Sequence, residues 1–335
     1  MKQCSFGVVF SGNYPLQRVL AGAVLAEQLG FDTCWLGEDY FYLGGIATAT
    51  AVAERTERIT IGLGVLSPLP RHPALTAMEI NTLDELASGR LILGLGYGVP
   101  AWMQQMKLGV RSPLTAMREG VELVRRLMTG ETVTYEGICF SLDRVRLGCT
   151  PHRSAIPIFL GVEGPKALQL SGEVADGTVI SILSSPGYLN FARENIAIGC
   201  ARGGRALEDH RMVVYVIFSM DQDGDRARQA VRHTIAEYLG AGGRPTPLSR
   251  YGGVPDDVME RMGAAYRSGH IPVELVDDGM VSRLAVAGTP DECAMGIRRL
   301  IDSGADEIVF FPFPSDEAEL QIERISRELF PRLID

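Results

Sequence analysis

The stretch ITIGLGVLSPLPRHPALTAMEINTLDELASGRLILGLGYG, residues Ile59–Gly98, carries the most informative pattern in the chain. An apolar run at Ile59–Leu63 is followed by a glycine-containing loop, a helical segment at Pro73–Ala87 and a second apolar run at Leu91–Leu95. Proline favours the first turn of a helix, and Ser88-Gly89 ends this one. The order strand, helix, strand is that of a βαβ unit, whose two strands are parallel.

The same alternation extends over the 335 residues of the chain. The other predicted strands are Ser5–Phe10, Thr33–Leu36, Ile156–Leu160, Thr178–Ser181, Met212–Ser219 and Glu307–Phe311. The other predicted helices are Leu16–Leu29, Ile46–Glu54, Pro113–Met128, one from Pro165, Pro186–Cys200, Pro290–Ser303 and Asp316–Leu329. Eight such units favour a closed (β/α)8 TIM barrel, and an open doubly wound sheet is the alternative.

Two segments interrupt this alternation, but no domain linker is evident, so residues 1–335 are predicted to form a single domain. The segment near 132–147 resembles a hairpin that turns at Glu136-Gly137. The segment near 240–289 is rich in Gly and Pro and contains only weak helical patterns. Because it follows the seventh strand, on the catalytic rim of a barrel, we expect residues 240–285 to close over the active site.

Charge and cysteine content exclude several classes of function. The net charge of −9 and the pI of about 5.2 argue against nucleic acid or an anionic membrane as a partner. No stretch approaches the roughly 20 apolar residues that span a bilayer, and no signal peptide is evident at the N-terminus. The six cysteines form no close pair, which favours reduced thiols in a cytoplasmic protein.

Four stretches resemble, in order and spacing, the luciferase-like superfamily of flavin and deazaflavin oxidoreductases. They are Gly30–Tyr40, Ile59–Gly98, Ile156–Val179 and Ala287–Pro312. The chain is most similar to the deazaflavin-dependent branch of methylenetetrahydromethanopterin reductase-like proteins. This resemblance implies a luciferase-like (β/α)8 barrel with a planar cofactor ring in its mouth.

The resemblance implies an oxidoreductase that uses coenzyme F420, an 8-hydroxy-5-deazaflavin, to transfer hydride to or from a small organic substrate. One alternative is an FMN-dependent two-component monooxygenase that receives reduced flavin from a separate reductase. Another is a barrel that binds a flavin without catalysis. Relatives pair as homodimers through the second and third helices, and we expect a homodimer here too. In these helices the chain has small and apolar side chains at Ala47, Ala49, Ala51, Ala53, Ala74, Ala77 and Ile80.

The resemblance also places cofactor contacts at three strand ends. After the third strand it implies a cis peptide bond at Gly64–Val65 that supports the ring, with Leu66 beside it. After the fourth strand, the cofactor is expected to meet Gly94, Gly96, Tyr97 and Gly98. After the fifth strand, a glycine turn and a helix N-terminus are expected to bind the phosphate of the cofactor tail through Gly161, Val162, Glu163, Gly164 and Pro165.

Two of these strand ends carry residues that bear on which ligand they could bind. The run G-x-G-x-G after the fourth strand lacks the spacing and the later acidic residue of a nicotinamide fingerprint, so no Rossmann site is expected. Lys166 could add positive charge to the phosphate turn, whereas the carboxylate of Glu163 would repel a phosphate unless it points away.

Two adjacent acids, Glu38 and Asp39, follow the second strand and are the candidate catalytic residues. Deazaflavin-dependent relatives usually have Asp-His here, so Glu38 occupies the acid position and Asp39 replaces the histidine. Carboxylates used by relatives elsewhere are replaced in this chain by Val9 and Tyr97. We therefore expect Glu38 or Asp39 to contact the ring edge.

Aromatic side chains near the strand ends indicate a pocket for a weakly charged organic substrate. Tyr40, His72 and Trp102 are the candidate pocket residues, although His72 could instead cap the helix that begins at Pro73. The remaining histidines, His152, His210, His233 and His270, show no metal-ligand spacing. No metal site is therefore expected.

Overall fold

The computed structural model describes residues 4–109 and 112–333. Its strands are β1 (Ser5–Phe10), β2 (Thr33–Leu36), β3 (Thr60–Leu66), β4 (Leu91–Gly96), β5 (Val133–Glu136), β6 (Ser141–Val145), β7 (Ile158–Gly161), β8 (Gly177–Ile180), β9 (Arg211–Met220), β10 (Val286–Gly288) and β11 (Glu307–Pro312). The main sheet has the order β10-β9-β11-β1-β2-β3-β4-β7-β8, and β8 also pairs with β9. That last pairing closes eight parallel strands into a ring, which confirms the (β/α)8 barrel and excludes the open sheet.

The helices fill the connections between the barrel strands. They are α1 (Leu16–Gln28), α2 (Gly45–Ala53), α3 (Pro73–Leu86), α4 (Pro100–Gln105), α5 (Pro113–Met128), α6 (Pro165–Val174), α7 (Pro186–Gly203), α8 (Gly224–Gly242), α9 (Pro247–Tyr251), α10 (Asp256–Arg267), α11 (Asp278–Leu284), α12 (Pro290–Asp302), α13 (Ala318–Arg324) and α14 (Phe330–Leu333). Single 3₁₀ turns lie at Leu207–Asp209, Val273–Leu275 and Ser315–Glu317, and a π-helical turn at Ile325–Leu329 joins α13 to α14.

Proline and hydroxyl side chains determine where several of these helices begin. α5, α7 and α12 each start with proline, whose fixed φ suits the first helical position. The preceding residue caps the helix with its side chain in all three: Ser112, Ser185 and Thr289. At α12 the N–H of Thr289 donates to Glu292 in return, which completes a capping box.

Large rings fill the middle of the barrel. Trp35 lies 6.2 Å from Phe159 and 5.9 Å from Tyr215, measured between ring centroids. Towards the amino ends of the strands, the buried Glu307 carboxylate accepts from Thr33 Oγ1 at 2.5 Å, Trp35 Nε1 at 2.8 Å and Arg211 Nη2 at 3.2 Å. The barrel interior is therefore a packed core with one polar cluster near its amino-terminal end.

The two interruptions of the βα alternation have different structures. β5 and β6 form an antiparallel hairpin between α5 and β7. The buried Glu119 carboxylate of α5 accepts the N–H groups of residues 138, 139 and 140 and so holds the hairpin loop. The segment after β9 is more helical than its composition suggests: α8 begins at Gly224 and is followed by α9, α10 and α11.

The faces of α2 and α3 correct part of the homodimer prediction. Four of the seven small or apolar residues named for the interface are buried inside the protomer: Ala49, Ala53, Ala77 and Ile80. Within each helix the two residues are three or four positions apart, so they share one face, and this face is buried in the protomer. The outward face of α3 instead exposes Leu75, Met78 and Leu86.

Within the described residues, we find no helix that is both long and apolar enough to span a membrane.

Candidate functional site

The loops after the carboxyl ends of the strands bring together most of the residues singled out from the sequence. At the opposite end, a cavity of about 560 Å3 is lined by Asp32, Thr60, Arg90 and Arg211 among others. These residues precede or begin strands, so this cavity lies on the face where barrels carry stabilising rather than catalytic groups. The functional site is therefore expected at the carboxyl-terminal mouth.

The peptide bond Gly64–Val65 is cis, as the resemblance implies. The Val65 side chain packs where side chains are missing on the neighbouring strands. A Cβ on Gly96 would lie 2.3 Å from Val65 Cγ2, and one on Gly161 would lie 2.9 Å from Val65 Cγ1. A Cβ on Gly94 would lie 2.1 Å from the carbonyl oxygen of Leu63. These glycines make room for β3 and Val65, a role that the sequence analysis missed.

Glu38 is held by protein contacts. Its carboxylate forms a two-pronged ion pair with Arg71, with both N–O distances 3.3 Å, and accepts the N–H of Gly45 at 3.2 Å. Gly45 is the first residue of α2, so the negative charge also lies at a helix N-terminus. Glu38 therefore anchors the loop after β2 to α2 and to Arg71, and its oxygens are occupied.

Asp39 faces the loop after β1. Its Oδ2 accepts from Ser11 Oγ at 2.5 Å and from the N–H of Gly12 at 2.9 Å. Both contacts involve the same oxygen, and within the described residues no hydrogen bond reaches Oδ1. Asp39 is therefore oriented through one of its two carboxylate oxygens.

Ser11 was not identified from the sequence, because a serine in a loop after a first strand carries no distinctive signal.

Two of the three proposed pocket residues come together. The rings of Tyr40 and Trp102 lie 5.9 Å apart at the ends of β2 and β4. Burial and the nearby Glu38 raise the pKa of Tyr40 to about 12, so its phenol is neutral and can donate a hydrogen bond at neutral pH. Tyr97 joins this end of β4 through its carbonyl oxygen, which accepts from Ser67 Oγ at 3.1 Å.

His72 has a structural role in addition to any part in the pocket. Its Nδ1 accepts the N–H of Ala74 at 3.1 Å and so caps α3, and its ring meets Phe140 of the hairpin edge-on at 5.5 Å. The structure therefore supports the capping role that the sequence left as an alternative. The pocket role of His72 stays a prediction.

The turn after β7 leads directly into α6. Gly164 is the N-cap residue, no side chain caps this helix, and the added Cβ of Gly164 would meet nothing within 4 Å. Pro165 has no N–H, and the N–H groups of Ala167 and Leu168 donate to the Gly164 carbonyl, so among the described residues of this turn the N–H of Lys166 is open to an anion. The carbonyl of Glu163 accepts from Tyr188 Oη at 2.8 Å, and burial raises the pKa of the Glu163 carboxyl. Burial thus favours its neutral form, which reduces the expected conflict with a phosphate.

These residues fit a planar cofactor with a phosphate-bearing tail. The uncapped N-terminus of α6 could bind the tail phosphate, with the exposed Lys166 beside it. Val65 could support the ring, since it is packed in place by Gly96 and Gly161. Metal is a different case: the described part of the chain brings no three His, Cys, Asp or Glu side chains into a metal-binding group.

The helical segment after β9 contacts the catalytic rim. Tyr251 at the end of α9 stacks on Phe191 at 4.7 Å, and its carbonyl accepts from Ser185 Oγ at 2.9 Å. Ser185 caps α7 and follows β8, so this contact lies at the carboxyl ends of the strands. Closure of residues 240–285 over the mouth stays a prediction.

A closed parallel barrel with an oriented carboxylate, aromatic side chains and an uncapped helix N-terminus at its carboxyl-terminal mouth is the arrangement of a TIM-barrel enzyme. Sequence comparison identifies the family of the protein. The model of the luciferase-like monooxygenase family matches residues 6–307, and this chain belongs to that family.

Its relatives match over nearly their whole length. The 5,10-methylenetetrahydromethanopterin reductase of Archaeoglobus fulgidus is 34% identical, over 98% of this chain and 99% of the relative. The F420-dependent glucose-6-phosphate dehydrogenase of Nakamurella multipartita is 31% identical, over 93% of this chain and 91% of the relative. The solved structure of the coenzyme F420-dependent tetrahydromethanopterin reductase from Methanopyrus kandleri superposes with a TM-score of 0.91, at 27% identity over 99% of each chain.

Proposed function

We propose that this protein is an F420-dependent oxidoreductase that transfers hydride to or from a small organic substrate. The observation that carries the proposal is the full-length similarity to relatives that differ in substrate but share a cofactor. One is named for a tetrahydromethanopterin and another for a sugar phosphate, and both names include F420. We therefore assign the shared cofactor to this chain and leave the identity of its substrate open.

The residues at the mouth can be given separate tasks. When bound, the deazaflavin would supply the hydride chemistry. The N-terminus of α6 would bind the phosphate of its tail, and Val65 would support its ring. Asp39, oriented through Oδ2 by Ser11 and Gly12, would hold or move a proton at its Oδ1. Tyr40 and Trp102 would pack against the substrate and exclude water.

Titration of the purified protein with F420 and, separately, with FMN tests the proposal. We expect saturable binding of F420, followed by changes in the cofactor absorbance, and much weaker binding of FMN. Binding of FMN alone would instead support the two-component monooxygenase, which needs a separate reductase. Binding of neither cofactor would refute the oxidoreductase proposal.

We also propose that the protein forms a homodimer through the outward faces of α2 and α3. Leu75 and Met78 on α3 are each 51% exposed, although both are large apolar side chains one turn apart. Exposed apolar side chains clustered on one helix face are typical of a protein–protein interface. A second copy of this chain would cover the same residues on both subunits, as two-fold symmetry requires.

Met78→Glu should therefore convert a dimer to a monomer at micromolar concentration, because it buries an unpaired carboxylate at the interface. We expect the dissociation constant to rise by about 30- to 100-fold, equivalent to roughly 2–3 kcal/mol. Sedimentation velocity measures the change. The matched control is Met295→Glu on α12, where the methionine is 56% exposed but lies away from α3. A monomeric parent protein, or equal effects of the two variants, would contradict the proposed interface.

A further inference from the structure

Tyr215 lies on β9 with its ring inside the barrel, just below the mouth. Its ring meets Trp35 edge-on at 5.9 Å, and its hydroxyl reaches across the barrel to β3. A Cβ on Gly64 would lie only 2.0 Å from Tyr215 Oη. The absence of a side chain at Gly64 therefore gives the Tyr215 hydroxyl its place beside the Gly64–Val65 bond.

This hydroxyl is a buried polar group without a hydrogen-bond partner among the described residues. The polar groups next to it in the barrel are paired: Trp35 Nε1 donates to Glu307 at 2.8 Å, and Thr33 Oγ1 donates to Glu307 at 2.5 Å. Burial also raises the pKa of Tyr215 well above its usual value, so the group remains a donor over the whole working pH range.

A buried hydroxyl without a partner destabilises the fold, because it has left water without replacing the hydrogen bond. Phenylalanine at position 215 would make the same ring contact with Trp35 without that cost. The hydroxyl lies beside Gly64, at the end of β3 where the cis bond Gly64–Val65 adjoins the mouth, and this location indicates a binding role for it. A molecule bound in the mouth would bring the missing acceptor.

We propose that the Tyr215 hydroxyl is a hydrogen-bond donor to a carbonyl or ring-nitrogen acceptor of the cofactor ring that binds over Gly64–Val65. The proposal rests on the oxidoreductase function proposed above. It assigns a binding role to a residue that the sequence analysis did not single out, because a tyrosine within an apolar strand is most often a core residue.

The experiment compares the parent protein with Tyr215→Phe, without cofactor and with F420. Without cofactor, we expect the melting temperature of Tyr215→Phe to equal or exceed that of the parent, since the variant removes only an unpaired hydroxyl. With F420, we expect its dissociation constant to rise by about 3- to 10-fold and the absorbance spectrum of the bound cofactor to shift. Tyr215→Phe should thus keep or raise the stability of the cofactor-free protein while it lowers the affinity for F420. A purely structural tyrosine would not produce that combination.

Tyr14→Phe is the matched control. The Tyr14 hydroxyl is also buried without a partner among the described residues, but it lies in the loop after β1 near Arg18 and Glu319 rather than beside Gly64. We expect Tyr14→Phe to leave F420 affinity and the bound spectrum unchanged.

Three results would overturn the inference: a clear loss of stability in cofactor-free Tyr215→Phe, parent-like F420 binding by that variant, or an equal loss of affinity in Tyr14→Phe. If the parent protein itself binds no F420, the proposed function fails and the inference fails with it. Binding by the parent with no effect of Tyr215→Phe removes the inference alone.

Discussion

Replacing Asp39 by asparagine should slow hydride transfer by about 10²–10⁴-fold, on the order of 3–5 kcal/mol, while the affinity for the cofactor changes little. Asparagine keeps the size of the side chain and can still accept from Ser11 and Gly12 through its oxygen. It removes the charge and the ability to take up a proton. The effect should therefore appear in the transition state, where the charge of the reacting ring changes.

Affinity should survive because the proposed anchor of the cofactor tail is separate from Asp39. The open N-terminus of α6 lies after β7, whereas Asp39 lies after β2 on another part of the rim. A single-turnover measurement with cofactor already bound isolates the chemical step from binding. The same samples give the dissociation constant by titration.

Glu38→Gln separates the two members of the acidic pair. Glu38 is engaged with Arg71 and Gly45, so its substitution should reduce stability by about 1–3 kcal/mol and leave the single-turnover rate within a few-fold of the parent. Parent-like turnover of Asp39→Asn would show that Asp39 only orients the loop after β1. A larger rate loss in Glu38→Gln than in Asp39→Asn would reverse the assignment.

Replacing Glu307 by alanine should destabilise the protein by about 3–5 kcal/mol without changing the chemistry at the mouth. The carboxylate accepts from Thr33, Trp35 and Arg211. Its loss leaves Thr33 Oγ1 and Trp35 Nε1 without their partner inside the barrel, whereas Arg211 Nη2 still donates to Ser5 Oγ at 2.7 Å. Urea unfolding at equilibrium measures the loss. F420 affinity per folded molecule should match the parent, because Glu307 begins β11 at the amino-terminal end of the barrel, whereas the mouth lies at the carboxyl ends of the strands.

The matched control for Glu307 is Glu323→Ala on α13. Its ion pair with Arg327 is 3.4 Å long and lies at the surface, where such pairs contribute little to stability. Equal unfolding midpoints for Glu307→Ala and Glu323→Ala would show that the buried cluster is not a main source of stability.

The barrel could be predicted from the sequence because its strands are short, apolar and separated by helices with clear start and stop residues. α8 is the main element that was missed. Its buried residues Ala227, Val231, Ile235 and Leu239 repeat every four positions, which is a helical signal, but the Gly- and Pro-rich composition that begins at its end obscured it.

The site was predicted to the level of strand ends and no further. Sequence position placed Glu38 and Asp39 correctly at the end of β2, but adjacent side chains point in different directions there. Only the three-dimensional contacts distinguish Glu38, paired with Arg71, from Asp39, which meets Ser11. Ser11 meets Asp39 because β1 pairs directly with β2. Tyr215 on β9 comes from a distant part of the chain, and it approaches β3 across the closed barrel.

The ring layer of Trp35, Phe159 and Tyr215 has a consequence for how the protein could be altered by evolution or by design. It separates the polar cluster around Glu307 from the loops that surround Asp39. Trp35 is common to the ring layer and the cluster, since its Nε1 donates to Glu307 and its ring meets Tyr215. Substitutions that leave Trp35 unchanged lie at opposite ends of the strands, and distant substitutions of this kind have nearly additive effects on stability. Stabilising substitutions at the amino-terminal end can therefore offset the stability lost through substitutions at the mouth. Substrate preference can then vary while the barrel that binds the cofactor is retained.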